Sequence, residues 1–176
     1  MILNLKLVII DSKYCDYLRK FDNRVMYNKN DKELRPFIGV LFKVNYYEYF
    51  APLSSPKPKH LKMRNTIDFF KIDGGKLGAV NFNNMIPVKV DNYKVIYFSK
   101  IDFNNLSGRK YQELLKDQLS WLNKNYMQVM NKSHKLYNLY NMKRLSKNIM
   151  DRCCDFKLLE EKCEQYNAEE LSDIGV

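Results

Sequence analysis

Apolar residues recur along this chain with two different periods. Up to about residue 100 they come in short blocks broken by turn-forming residues; from residue 109 they follow a helical spacing. Residues 4–10 form an apolar run that stops at Asp11 and predicts a first buried strand. Ser12 is placed to cap a helix over residues 13–21, where Tyr14, Tyr17, Leu18 and Phe21 fall at i, i+3, i+4 and i+7. Residues 23–34 are polar and basic and predict a loop. Residues 36–44 and 46–53 read as a strand pair turning at Asn45. Residues 54–65 predict a loop, because their prolines and cations do not suit a central strand. Residues 66–72 and 77–82 predict a hairpin around Asp73-Gly74-Gly75, and residues 85–90 and 93–98 a further pair around Asp91-Asn92.

The helical half has Tyr111, Leu114, Leu115, Gln118, Leu122, Tyr126 and Val129 on one face. It predicts a break near Ser133, a second helix over residues 135–150 and a short last helix over 156–166. The expected class is α+β: an antiparallel sheet or partial barrel, then helices. With no repeat or linker in view, residues 1–176 read as one domain. It has a sheet core over 1–100, a helical part over 101–166 and an acidic tail, 167–176, expected to fray.

Charge changes this picture. The net charge is +10, yet residues 151–176 carry −5, so residues 1–150 carry +15. A body this basic predicts a polyanionic partner, because lysine and arginine displace counterions condensed on a phosphate backbone. Thirteen tyrosines, several beside cations (Tyr14 by Lys13, Tyr27 by Lys29, Tyr111 by Lys110), suit stacking on unpaired RNA bases. Cys15, Cys153, Cys154 and Cys163 lack paired C-x-x-C spacing and read as free thiols, with neither zinc nor disulfides expected. No metal motif, P-loop or dinucleotide fingerprint occurs, so no cofactor is expected. The first apolar run is too short for a signal peptide or membrane span, which predicts a cytoplasmic protein.

The densest chemistry lies in Ser54-Ser55-Pro56-Lys57-Pro58-Lys59-His60. Metal-free RNA cleavage needs an aligned 2′-hydroxyl, a protonated leaving oxygen and stabilised charge on phosphorus. Ser54 and Ser55 suit phosphate positioning and Lys57 its neutralisation. Lys13, Tyr27, Lys29, Lys59, His60, Lys62 and Arg64 are the accompanying candidates for RNA contact. His134 reads as a surface residue.

Several blocks in order then match a known pattern: Ser12-Lys13-Tyr14 with Tyr17-Leu18 and Phe21-Asp22; Phe37-Ile38-Gly39; Ala51 through Lys57; Asn81-Phe82 with Met85-Ile86-Pro87; and Phe156 through Lys162. In these the chain resembles the endoribonuclease toxins of type III toxin–antitoxin systems, the ToxN/AbiQ family. The resemblance implies a strongly curved antiparallel sheet like that of the Kid/MazF toxins, ringed by helices. It implies metal-independent cleavage to a 2′,3′-cyclic phosphate. It also implies a repeated pseudoknot RNA antitoxin that the toxin processes and stays bound to, in a closed ring of alternating protein and RNA, and a role in abortive infection by phage. Carried over by position, it puts the central serine at Ser55, the preceding hydroxyl at Ser54 (often threonine in the family), the lysine at Lys57, a tyrosine at Tyr14 and a basic residue at Arg35. Arginine keeps the charge there but does not release a proton at neutral pH, which favours phosphate clamping. Two other readings use the same residues: a non-catalytic RNA-binding module, and a MazF-type RNase controlled by a protein antitoxin.

Overall fold

A computed structural model describes residues 4–26, 35–98 and 106–173, with 106, 107 and 167–173 described by backbone alone. Strand β1 (Lys6–Ile10) leads into helix α1 (Ser12–Arg19). Asp11, not Ser12, caps that helix: one carboxylate oxygen accepts from the amides of Lys13 and Tyr14. β2 (Phe37–Gly39) and β3 (Lys43–Val44) follow, then β4 (Tyr47–Ser54), the short helix α2 (Pro58–Lys62), and β5 (Phe69–Lys71), β6 (Ala79–Asn81), β7 (Ile86–Val88) and β8 (Tyr93–Val95). The helices α3 (Leu106–Lys124), α4 (Tyr126–Asn141), α5 (Lys147–Arg152) and α6 (Phe156–Asp173) complete the described chain.

The eight strands form one antiparallel sheet, ordered β5-β6-β4-β2-β1-β8 with β3 and β7 also on β4, and it does not close into a barrel. β4 is its axis. On one edge it passes from β3 to β2; on the other it passes from β7, opposite Glu48 to Phe50, to β6, opposite Leu53 and Ser54. β2 and β3 are in effect the one strand expected over 36–44, interrupted where Leu41 and Phe42 bond to Tyr49. The lack of Cβ at Gly39 makes room for the Phe50 ring, which stands 2.4 Å from where that atom would be.

Several expectations are corrected. β7 and β8 do not pair with each other; β7 pairs with β4 and β8 with β1. The 54–65 loop contains α2, which begins at Pro58, where a missing N–H costs nothing in the first turn. The helical break falls at Asn125, not Ser133, whose hydroxyl instead bonds back to the Met130 carbonyl inside α4. The last helix also runs past Tyr166 to Asp173 through the stretch expected to fray.

Helices α1 and α6 cover β4 and β7 with apolar side chains: Leu18, Phe156, Leu159 and Cys163 are fully buried. Acids inside this shell are each partnered. Glu160 accepts from the hydroxyls of Tyr49 at 2.8 Å and Tyr137 at 2.6 Å and from Lys157 at 2.9 Å. Glu48 is held by Lys43 and Tyr93. Asp22 accepts from Arg24 and from the Asp155 amide, which fastens the end of α1 to the start of α6. All four cysteines are buried free thiols.

Burial opposes ionisation of Asp22, but the Arg24 guanidinium and the two backbone donors outweigh it and lower its pKa. A carboxylate with a depressed folded pKa adds stability above its unfolded value and loses it as pH falls through the folded one. Asp22→Asn should therefore weaken the protein at neutral pH and make its stability less sensitive to acid below about pH 4. Urea unfolding at several pH values measures this; parallel wild-type and variant pH profiles would contradict it.

Candidate active site

β4 delivers Ser54 to the end of the sheet, and the turn between β5 and β6 braces the segment from Ser54 to His60. Gly78 adopts φ +98°, and a Cβ there would stand 2.0 Å from the Ser54 carbonyl oxygen. Gly75, at φ +99°, is similarly close to the His60 carbonyl. Glycine is required at both places by backbone conformation and by space. From α3, Gln118 reaches across to donate to the Leu77 carbonyl at 2.6 Å. From β6, the Asn81 amide donates to the Ser54 hydroxyl at 2.7 Å. The Leu53 amide donates to the Pro36 carbonyl, which draws Arg35 alongside.

The result is an open pocket of about 240 Å³ lined by Arg35, Leu53, Ser54, Ser55, Lys57 and Tyr111. Thus the structure brings together four of the five residues expected to act on the phosphodiester, from two separate stretches of chain. Tyr111 joins them from α3. Its helical spacing had marked it as part of the inward face; only the packing of α3 brings it to the pocket. Asn81 and Gln118, which hold the pocket, were legible as a strand end and a polar residue on an apolar helix face, but not as partners of Ser54 and its turn.

Tyr14 is the correction. Its position on the inward face of α1 sends it into the core, where it is fully buried. Its hydroxyl donates to the Pro87 carbonyl at 2.6 Å and its ring meets Tyr166 edge-on at 5.1 Å. Burial, followed by the neighbouring Cys163, raises its pKa well above the ordinary phenol value. It lies outside the residues that line the pocket.

The RNA-contact candidates divide. Lys59, His60 and Arg64 line an adjoining recess. Lys62 is exposed on α2 and Lys13 on α1, outside both linings. Tyr27 and Lys29 lie outside the described residues. His134 is exposed on α4 against Phe42. Among the described residues no group of three or more His, Cys, Asp or Glu is arranged to hold a metal ion, and no helix is long and apolar enough to cross a membrane.

Hydroxyls and cations around one open pocket suit the charge of a phosphodiester. Comparison with known proteins gives the same class. The profile of the family described as "Toxin ToxN, type III toxin-antitoxin system" matches residues 6–164. The chain is 34% identical to the Endoribonuclease ToxN of Bacillus thuringiensis subsp. kurstaki, over 93% of this chain and 84% of that one. It is 29% identical to the Endoribonuclease AbiQ of Lactococcus lactis subsp. lactis, over 94% of this chain and 91% of that one. Among solved structures it is similar to one described as "selective toxin inhibition by a non-coding RNA pseudoknot", with TM-score 0.76 and 32% identity over 94% of this chain and 99% of that one. Another, reporting how "a processed non-coding RNA regulates a bacterial antiviral system", gives TM-score 0.77 and 28% identity over 90% and 97%. The chain belongs to the ToxN family of type III toxin–antitoxin toxins. It is an endoribonuclease.

The two glycine positions make a sharp test of how the pocket is held. Gly78→Ala, which meets both a left-handed backbone and the Ser54 carbonyl, should cost about 3 kcal/mol of stability. Gly74→Ala, at φ +63° with open space around it, should cost only about 1 kcal/mol. Urea midpoints compare the two; equal losses would contradict the bracing role. Tyr14→Phe should lose about 1 kcal/mol through the Pro87 bond and leave the cleavage rate of folded protein within about twofold.

Proposed function

We propose that the Arg35–Ser54–Ser55–Lys57 pocket is the cleavage site and works without a metal ion. The observation that carries this is the convergence of two serines and two cations on one pocket in a chain of an endoribonuclease family. The ribose 2′-oxygen attacks phosphorus, the bond from phosphorus to the 5′-oxygen breaks, and a 2′,3′-cyclic phosphate forms. The proton lost by the 2′-hydroxyl is matched by one gained by the leaving 5′-oxygen. Ser54 and Ser55 hydrogen-bond the ribose and a phosphate oxygen, with Asn81 fixing the Ser54 hydroxyl. Lys57 and Arg35 stabilise the charge that grows on the phosphate. Of these two cations only lysine readily gives up a proton, so Lys57 is assigned the leaving oxygen. Tyr111 takes the tyrosine position in the pocket that Tyr14 does not occupy.

The same groove is read as the seat of a repeated pseudoknot RNA antitoxin, cut by the toxin and then retained. Its support is the +15 charge of residues 1–150 and the likeness to a toxin inhibited by such an RNA. The closed ring of alternating protein and RNA, the cytoplasmic setting in abortive infection, the kinship of the sheet to that of the Kid/MazF toxins and the action of the whole chain as one domain complete this reading. They rest on the resemblance noted in the sequence. Lys13, Lys62, Tyr27 and Lys29 belong to it as outlying RNA contacts.

Ser55→Ala should lower cleavage by about a hundredfold and abolish toxicity on expression, while RNA affinity stays within a few-fold of wild type. Purified wild type should cut RNA in excess chelator and leave a 2′,3′-cyclic phosphate detectable by mass spectrometry. Full toxicity of Ser55→Ala would displace the site, and binding without cleavage in chelator would displace the metal-free chemistry.

A further inference from the structure

Beside the cleavage pocket lies a recess of about 290 Å³, and Ser54 and Lys57 line both. Its chemistry is different. Its floor carries two buried polar side chains, Asp68 and His60, only 3% and 2% exposed. Asp68 is fully engaged in the fold: it accepts from the Thr66 hydroxyl at 2.7 Å and from the Arg152 guanidinium at 3.1 Å. His60 is not, for its Nδ1 is buried with no hydrogen-bond partner. Buried polar atoms in folded proteins almost always have one, so an orphan nitrogen in the wall of an open recess calls for a ligand. The remaining walls suit a flat ring. Phe69 lines the recess with its ring 5.7 Å from the imidazole, and the exposed Met63 stands at the rim. Lys59 and Arg64 add cations at the mouth.

We propose that this recess is a nucleobase subsite, which takes the base of a nucleotide adjoining the scissile phosphate, with the His60 imidazole turning about its side-chain bonds to bring Nδ1 to the base edge and Phe69 and Met63 against its face. The proposal rests on the reading of the Ser55 pocket as the cleavage site. The two recesses share Ser54 and Lys57, so a chain whose phosphate sits there has its neighbouring base within reach of His60. Burial, then the charges of Lys57 and Lys59, lower the His60 pKa and favour a neutral imidazole, which reads a base by hydrogen bonding rather than by charge. Asn81, whose amide nitrogen donates to Ser54, offers its Oδ1 beside the imidazole as an acceptor. The favoured base therefore presents an exocyclic amine, as adenine, cytosine and guanine do and uracil does not.

The test uses short RNAs in which the bases on the two sides of the cut are varied in turn. Wild type should disfavour uracil by about tenfold in kcat/KM at one of the two positions, the worth of a hydrogen bond to a base edge. His60→Phe, which fills the same space, should reduce that preference to about twofold or less and leave preferences at the other position unchanged. A folded His60→Phe with the full preference overturns the proposal, as does a wild type indifferent to both bases. Wild type that cuts no RNA, or a fully active Ser55→Ala, overturns instead the reading on which it rests. A second measurement does not depend on the variant folding. In wild type labelled with ¹⁵N-histidine, saturation with uncleavable 2′-O-methyl trinucleotides bearing amino bases should move the His60 Nδ1 resonance and leave that of His134 in place. An unmoved His60 resonance at saturation overturns the proposal.

Discussion

The approach of the Gly78 backbone to the Ser54 carbonyl is the constraint on which the site depends. A strand that carries a pocket-lining serine at its last residue needs that end held, because strand ends lack ladder bonds on one side. Here the turn between β5 and β6 closes on it from behind: Ala79 pairs with Ser54, Gly78 meets its carbonyl, and Gly75 meets the carbonyl of His60. Both glycines have left-handed backbone conformations that a side chain would strain. The segment from Ser54 to His60 is thus held at its two ends, and the prolines between stiffen it. Pre-positioned hydroxyls and cations stabilise charge in a transition state without reorganising at the moment of reaction, which is what such bracing provides.

The sheet supplies the frame for this by giving β4 a different neighbour at each end on both edges. Its first half lies between β3 and β7 and is covered by α6; its last residues lie between β2 and β6. The acids in the covered half are each tied to a named donor, as Glu160 is to two tyrosines and a lysine, so the strand carries no unpaired charge into the core. At the other end polar side chains line an open pocket. One strand therefore runs from a satisfied interior to a pocket-lining serine, and α2 just beyond it carries an imidazole nitrogen with no hydrogen-bond partner.

The division of the site into two pockets has its origin in the same frame. The first pocket gathers two serines and two cations and suits the repeating backbone of RNA, which is alike at every residue. The inner recess has a buried imidazole beside an aromatic ring and suits the part of RNA that differs from residue to residue. In the proposed reading, affinity and selectivity fall to neighbouring groups that share Ser54 and Lys57.

Much of this was legible in the sequence. Seven alternating or continuous apolar blocks covered the observed strands, β2 and β3 sharing one, because a strand records its burial in its own residues. The Ser54–His60 cluster was legible because its residue types are chemically unusual together. What pairs with what was not legible. Residues 85–90 and 93–98 are close in sequence with a good turn between them, yet each found a distant partner, since long β4 and β1 offered apolar edges that the local pair did not. Tyr14 sits in a motif beside a cation and reads as chemistry, but helical phase turned it inward to bond Pro87. Tyr111, Asn81 and Gln118 reach the site only because α3 and β6 pack beside it. Composition and period by themselves marked where most elements form and that the body of the chain is basic enough to suit a polyanion, as those depend on each residue's own polarity. Only the tertiary structure decided which side chains share a pocket, as that depends on the meeting of segments far apart in the chain.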